Sequence, residues 1–285
     1  MRHIYIVFLL LFSIGCEKEI PYDEQTYTPR LVVNGMIQAG SAIHIDVTES
    51  ASILADFNHD YVEIDDCQVR LYENDLLVES LSAGNEGVYT FSHIASSGMT
   101  YRIELNHNRL PNASCETTVP GSVNIISATG ITGDDFETEV TLKWPDSDNA
   151  DYYQVLMYQV YEQSTDTSLI DWTTSSPYFG ADPLGDGENY YWNDAMLLDE
   201  LFKDGTAELD LNLQYFANPG TPGSQEAIAV LLGCSESYYR YKSSLRLYQN
   251  SDGGLFSQPV QIFSNVEGGL GILAASSKSI VSVSF

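Results

Sequence analysis

Apolar and polar residues alternate in short stretches along most of this 285-residue chain. Such runs, many rich in Val and Ile, fall at 31–37, 42–48, 67–72, 76–81, 87–91, 99–105 and 115–119. A period of two puts successive side chains on opposite faces, so each run reads as a half-buried strand. Ala39-Gly40-Ser41, Glu73-Asn74-Asp75, Gly84-Asn85 and Ser97-Gly98 supply the turns between them. Seven short strands at this spacing predict an antiparallel β-sandwich over 30–120. Pro120-Gly121 then marks a boundary, and strands resume at 123–129 and 137–144. After the polar loop PDSDNAD, Tyr153, Val155 and Met157 share one face of the next strand. Further strands are expected at 208–215, 227–232, 270–274 and 280–284.

Two stretches leave this rhythm. Residues 175–205 are rich in Gly, Pro, Asp and aromatics, and long loops inside a β-domain are often functional. Within them, Asn193-Asp194 is expected to cap a short helix over 195–203 that Asp204-Gly205 ends. Ser235 opens a second helix, 236–250. Its Tyr238, Tyr241, Leu245 and Tyr248 lie at i, i+3, i+7 and i+10, an amphipathic face expected to pack on the sandwich. The fold class is therefore mainly all-β: two tandem antiparallel β-sandwich domains, 30–120 and 121–285. The second carries the insertion 175–205 and the C-terminal amphipathic helix.

The first 29 residues are different again. Residues 4–12 are an unbroken apolar run, shorter than the about 20 residues that span a bilayer, and read as a signal-peptide core. Ser13-Ile14-Gly15-Cys16 resembles a bacterial lipobox, with Ser13 where Leu is usual. The resemblance implies that 1–15 is a signal peptide and that Cys16 becomes the lipidated first residue. Residues 16–29 then form a polar tether. More than one acyl chain on Cys16 gives stable membrane attachment. Glu17-Lys18-Glu19 resembles the charged export signals of surface lipoproteins, which implies outward display.

Composition narrows the partners. The chain has 12 Lys and Arg against 40 Asp and Glu, a formal charge of −28. Such a surface does not bind nucleic acid through phosphate neutralisation. Besides Cys16 there are Cys67, Cys115 and Cys234. An exported location permits disulfides, and Cys67 and Cys115, in one small β-domain, are expected to pair. Cys234 follows an apolar run and is expected to be a buried free thiol. No CxxC or His/Cys ligand spacing occurs, so no metal site and no cofactor is assigned.

Three resemblances follow from longer motifs. GNEGVYTF and GMTYRIEL, around Tyr89 and Tyr101, are similar to the carboxypeptidase-regulatory, transthyretin-like module. This likeness implies that each Tyr buries its ring and leaves its hydroxyl near the sandwich edge. EVTLKW and the strand after it resemble the B and C strands of a fibronectin type III sandwich, with Trp144 as the core tryptophan. SESYYRYKSSLRLYQN and FSQPVQIFSNVEGGLGIL resemble the closing signature of a family catalogued as domain of unknown function 4249. An early strand, Leu31-Val32-Val33-Asn34-Gly35, and 201–205 also fit it, while Leu273 stands where an aromatic is common. The family resemblance implies an outer-membrane lipoprotein of Bacteroidetes-type bacteria, accessory to a TonB-dependent transporter. It carries over no catalytic residues. Gly268, Gly269 and Gly271 read as a tight turn into a last hairpin rather than an anion cradle.

The residues also weigh against an enzyme. After Cys16, His44, His59, His93 and His107 all lie in the first domain, and no HExxH, GxSxG or P-loop occurs. Gly233-Cys234-Ser235-Glu236-Ser237 only echoes a nucleophile elbow, without the second Gly or a nearby His. His59 and Asp60, with Asp56, Asp65 and Asp66, form a metal-like loop that scattered polar residues explain as well, and Asp182 to Gly187 echoes a calcium loop without its alternating carboxylates or closing Glu. The expected function is thus a non-enzymatic surface lipoprotein that assists a transporter by docking or substrate capture. Tyr178, Phe179, Tyr190, Tyr191 and Trp192 are the candidate surface for a glycan, peptide or protein partner. A satellite hydrophobic cluster under the loop would use the same residues. An adhesive or structural spacer module is the alternative, and a hydrolase the third reading.

Overall fold

Strand pairing follows the alternation of the sequence closely in the first half of the chain. The structure, a computed structural model, describes residues 27–52, 61–133, 138–145, 150–160, 167–174, 196–198, 205–213, 226–250 and 260–285. The leader 1–15, Cys16 and most of the tether lie outside the described residues. So do Tyr178, Phe179, Tyr190, Tyr191, Trp192, Asp56, His59 and Asp60.

The first sandwich is built from β1 (Leu31–Gln38), β2 (Ala42–Glu49), β3 (Val62–Glu63), β4 (Gln68–Glu73), β5 (Leu76–Leu81), β6 (Val88–Ile94), β7 (Thr100–Asn106) and β8 (Ala113–Thr118). Odd residues of β1 and β2 face inward: Leu31, Val33, Ile37, Ile43, Ile45 and Val47 are all fully buried. Val69, Leu71, Tyr101, Ile103, Leu105 and Cys115 meet them from β4, β7 and β8. Both tyrosines behave as the motif implied. Tyr89 is buried with its hydroxyl accepting from Cys67 N at 2.9 Å. The Tyr101 hydroxyl accepts from Ser96 N at 2.9 Å and donates to Glu73 Oε1 at 2.6 Å.

The second sandwich comprises β9 (Ser127–Thr132), β10 (Thr138–Pro145), β11 (Tyr152–Val160), β12 (Thr167–Ile170), β13 (Trp172–Thr173), β14 (Met196–Leu198), β15 (Thr206–Leu213) and β16 (Glu226–Cys234). Helix α1 (Glu236–Asn250), β17 (Val266–Glu267) and β18 (Leu270–Ser282) complete the chain. One sheet runs β13-β15-β10-β9, and the opposing one contains β12-β11-β16-β18. The two sheets enclose the second core, which holds Val140, Leu142 and Trp144 of β10 with Tyr153, Val155 and Met157 of β11. Trp144 is buried and meets Tyr153 edge-on at 5.7 Å.

The two sandwiches are not simply consecutive. Strands were expected at 270–274 and 280–284, with the Ser-rich stretch between as a break. Instead β18 is one continuous strand of 13 residues. Its first half pairs parallel with β1, Val32↔Leu270 through Gln38↔Ser276. Its second half pairs antiparallel with β16, from Cys234↔Ser276 through Ile228↔Ser282. The strand changes partner at Ser276, so one nine-stranded sheet runs through both halves. Small residues at 274–277 suit this crossing, where neighbours crowd both edges and Ala274, Ala275, Ser276 and Ser277 are buried. The last strand also adds Leu273 and Ala275 to the first core, and Val266 of β17 joins them there.

Other expectations are corrected. Met196–Leu198 is a strand, not part of a helix, and pairs with β11 at Tyr152–Gln154. Three apolar residues carry no period, and an available strand edge decides the outcome over propensity. The strand expected from 123 starts at Ser127, because the residues before it are strapped onto β18 instead. Ser277 Oγ donates to Gly121 O at 2.8 Å, and Ile125 N donates to Ser279 Oγ at 3.1 Å. The glycine turn makes no hairpin: β17 belongs to the β8 sheet and β18 to the β1 sheet, so the chain arches between layers. Gly271, at φ +104, has its Cβ position 2.1 Å from Val33 O. A side chain there would collide with the β1 backbone, which gives this glycine a packing role rather than an anion-binding one. Among the described residues no helix is long and apolar enough to cross a membrane.

Candidate functional site

Where β17 leaves β8, a cleft opens between the sandwiches. β17 pairs with β8 only at Ser114 and Cys115. At the next position the side chain of Asn265 takes over: its Nδ2 donates to Glu116 O at 2.9 Å and to Leu273 O at 2.8 Å. Its Oδ1 accepts from Leu273 N at 2.9 Å. Before Asn265 the chain turns toward the helix, where Phe263 N donates to Ser244 Oγ at 2.8 Å. The wedge left between β8, the start of β11 and the start of α1 has a volume of about 640 Å³. That lies within the range of small-molecule and peptide sites.

The floor is a saturated hydroxyl network. Ser237 Oγ donates its one proton to Leu273 O at 3.0 Å. Thr117 Oγ1, at 3.1 Å, and Ser235 Oγ, at 2.9 Å, must therefore both donate to Ser237. Ser235 Oγ in turn accepts from Ala275 N at 3.0 Å and from Tyr238 N at 3.3 Å. The second bond caps the helix that Ser235 was expected to open. Ser235 sits at a strand-to-helix junction, as in a nucleophile elbow. Its lone pairs are committed to backbone amides, so it acts as a cap and strand clamp rather than a nucleophile.

The walls combine aromatic and acidic groups. Tyr152 stacks on Tyr239 at 4.5 Å, and the Tyr238 hydroxyl donates to buried Gln154 at 3.0 Å. Arg240 pairs with Glu236 at 2.7 Å and lies over the Phe263 ring at 5.6 Å. Glu116, Asp151 and Glu236 line the cleft with three carboxylates, against the one guanidinium of Arg240. Burial raises the Tyr152 hydroxyl pKa, and the Glu236 and Asp151 charges raise it further. Of the helix stripe, Tyr238, Tyr241 and Leu245 are half-buried, but Tyr248 is exposed.

The cysteines do not form the expected pair. Cys67, Cys115 and Cys234 are free and buried. By the β4–β7–β8 register, Cys67 and Cys115 lie two strands apart and four residues out of step. That is about 16 Å, far beyond the about 7 Å limit for bridging. Desolvation pushes the Cys67 thiol up to about 11 and Cys115 to about 12, and raises Cys234 as well.

His107 and His93 serve the first sandwich. His107 Nδ1 accepts from Leu110 N at 3.1 Å, and Nε2 meets Asp66 at 3.0 Å. His93 Nε2 meets Glu73 at 3.3 Å. Asp65 Oδ1, from the metal-like loop, accepts from Gly87 N at 2.8 Å. Among the described residues no group of three or more His, Cys, Asp and Glu could hold a metal ion.

The two segments that carried the family resemblance line this cleft, through Ser235–Arg240 on one side and Phe263–Asn265 on the other. A family model described as "Domain of unknown function (DUF4249)" matches residues 17–280. The chain belongs to this family. No curated protein matches it. In this DUF4249 chain, sequence reasoning took the helix stripe as packing and passed over Glu116, Asp151 and Tyr152. Glu116 lies on β8 and Asp151-Tyr152 at the start of β11, so no local spacing joins the first to the other two. The run SESYYRYK was the available signal, because its polar face had no assigned neighbour.

Proposed function

We propose that this DUF4249 chain is a non-enzymatic outer-membrane lipoprotein, lipid-anchored through Cys16 and displayed at the cell surface. It serves as an accessory to a TonB-dependent transporter, by docking on it or capturing substrate. The observation that carries this reading is the seam cleft, an open aromatic and acidic recess. The serine and threonine hydroxyls of its floor are consumed by structural hydrogen bonds, which suits binding better than bond-breaking. The lipobox-like Ser13-Ile14-Gly15-Cys16 supports the anchor. The tether reaches the fold at Tyr27, whose hydroxyl donates to Ser50 Oγ at 2.6 Å.

The test is a mild-detergent pull-down of the tagged protein from its native outer membrane, with mass spectrometry of what stays bound. Stoichiometric recovery of a TonB-dependent barrel is the expected result. Recovery of the lipoprotein alone would sink the accessory model. It would favour the spacer reading, for which the shared strand β18 and the strapped linker give a specific reason: they join the sandwiches as a stiff unit. Cys16→Ala is expected to release the protein from the membrane fraction.

A further inference from the structure

The cleft contains an unfinished strand edge. β8 is paired with β7 along its whole length, but on its other side β17 covers only Ser114 and Cys115. In an antiparallel ladder the backbone groups of alternate residues point to alternate sides. Val119 N donates to Met99 O, toward β7. Glu116 O points the other way, to Asn265. By the same alternation Thr118 turns its N–H and C=O into the cleft. Among the described residues no strand pairs with β8 there, and Thr118 is exposed.

We infer that this edge accepts an extended peptide segment carrying Lys or Arg, which adds as a strand to β8 in line with β17. Strand addition gives affinity through the main chain and leaves specificity to the flanking side chains. Here those are Glu116, Asp151 and Glu236, facing a single Arg240 that Glu236 already pairs. Arg102, 4.0 Å from Glu116, is shared with Asp75 and Glu104 and leaves the cleft acidic. Tyr152 and Phe263 offer ring faces to the aliphatic stems and cationic heads of such side chains. The inference rests on the reading of this cleft as the docking site.

The test uses the full chain and three fluorescein-labelled decapeptides. One alternates Val and Lys, one alternates Val and Glu, and one is the Val/Lys peptide with N-methylated backbone amides. Anisotropy should show binding of the first, weakening as salt rises. The second should not bind, and the third should bind at least about tenfold more weakly, since its ladder hydrogen bonds are gone. Glu116→Gln, Asp151→Asn and Glu236→Gln together should weaken the first at least about tenfold, given the few-fold worth of each exposed charge pair. Hydrogen exchange should slow at the Thr118 amide when the first peptide is added.

Equal binding of the Val/Lys peptide and its N-methylated form would overturn strand addition. No binding of the Val/Lys peptide would overturn the inference as a whole. So would a Thr118 amide already protected in the protein alone, because a segment of the chain itself would then cover the edge. Peptide failure with a barrel still recovered in the pull-down would remove this inference and leave the accessory role. Peptide binding without a recovered barrel would do the reverse.

Discussion

The two sandwiches share a strand but hold their layers together by different means. In the first, aromatic rings are fixed by their hydroxyls: Tyr89 and Tyr101 each reach a backbone amide, and Tyr101 also grips Glu73. Glu79 of β5 closes the same sandwich by accepting from Ser92 N and His93 N at 2.9 and 3.0 Å. In the second, the layers meet through bulk, with Trp144, Trp172 and Tyr153 all fully buried. The first sandwich thus specifies its register with polar anchors at the rim, and the second with ring volume at the centre. Volume loss in a core costs more than loss of a rim hydrogen bond. The shared strand is the point where damage to one should reach the other.

The most damaging substitution is expected at that strand. Gly271→Val places a branched side chain at φ +104 against Val33 O and severs the β1–β18 ladder. Steric collision at a glycine-only conformation belongs with the large losses, about 4 kcal/mol or more. All three tryptophans, Trp144, Trp172 and Trp192, lie in the second half of the chain. Tryptophan fluorescence therefore reports the second sandwich while the mutation strikes the first. A lowered denaturation midpoint by this probe would show that β18 couples the two. An unchanged tryptophan transition would mean that they melt separately and would break the comparison.

Trp144→Ala is next, at about 3–5 kcal/mol for a fully buried ring. It should lower the midpoint seen by tryptophan fluorescence at Trp172 and, if coupling holds, that of the tyrosine signal as well. Tyr101→Phe keeps the ring and removes one hydroxyl. Ser96 N and Glu73 lose a partner at a half-open rim, so about 1–2 kcal/mol is expected by urea denaturation. A loss as large as that of Trp144→Ala would erase the distinction between anchor and bulk.

How far the sequence could be read divides along the same line. Local alternation located nearly every strand of the first sandwich, and motif spacing found its two anchoring tyrosines. Trp144 and the inward face of β11 were equally legible, because burial on one face of a strand is a local pattern. The continuity of β18 was not, since its pairing with β1 joins residues more than 200 positions apart. Its small, polar middle looked like a break until both neighbours were in place. The Cys67–Cys115 expectation failed for the same reason: sharing a domain sets no distance, while register does. The cleft was hidden because Glu116, Asp151, Glu236 and Asn265 come from four separate segments. The aromatic residues of the insertion, singled out by composition alone, lie outside the described residues.

The smallest expected effect is one of pH, and it separates the sandwiches by charge. Glu73 is held below its ordinary value of 4.5, chiefly by the Tyr101 hydroxyl, with His93 adding to it. Glu79 is also lowered: desolvation opposes this, but the Ser92 and His93 amides prevail. Both carboxyls belong to the first sandwich. A depressed folded pKa contributes stability that is fully present above the unfolded value and fades as pH falls through the folded one. The first sandwich should therefore weaken below about pH 4.5, as Glu73 and Glu79 take up protons. Glu73→Gln should flatten that acid limb in a series of urea midpoints between pH 6 and pH 3. Tyr101→Phe should flatten it too, because the hydroxyl is what lowers the carboxyl. If Glu73→Gln leaves the acid limb as steep as before, the rim anchor is not what acid attacks, and the polar-versus-bulk contrast loses its electrostatic half.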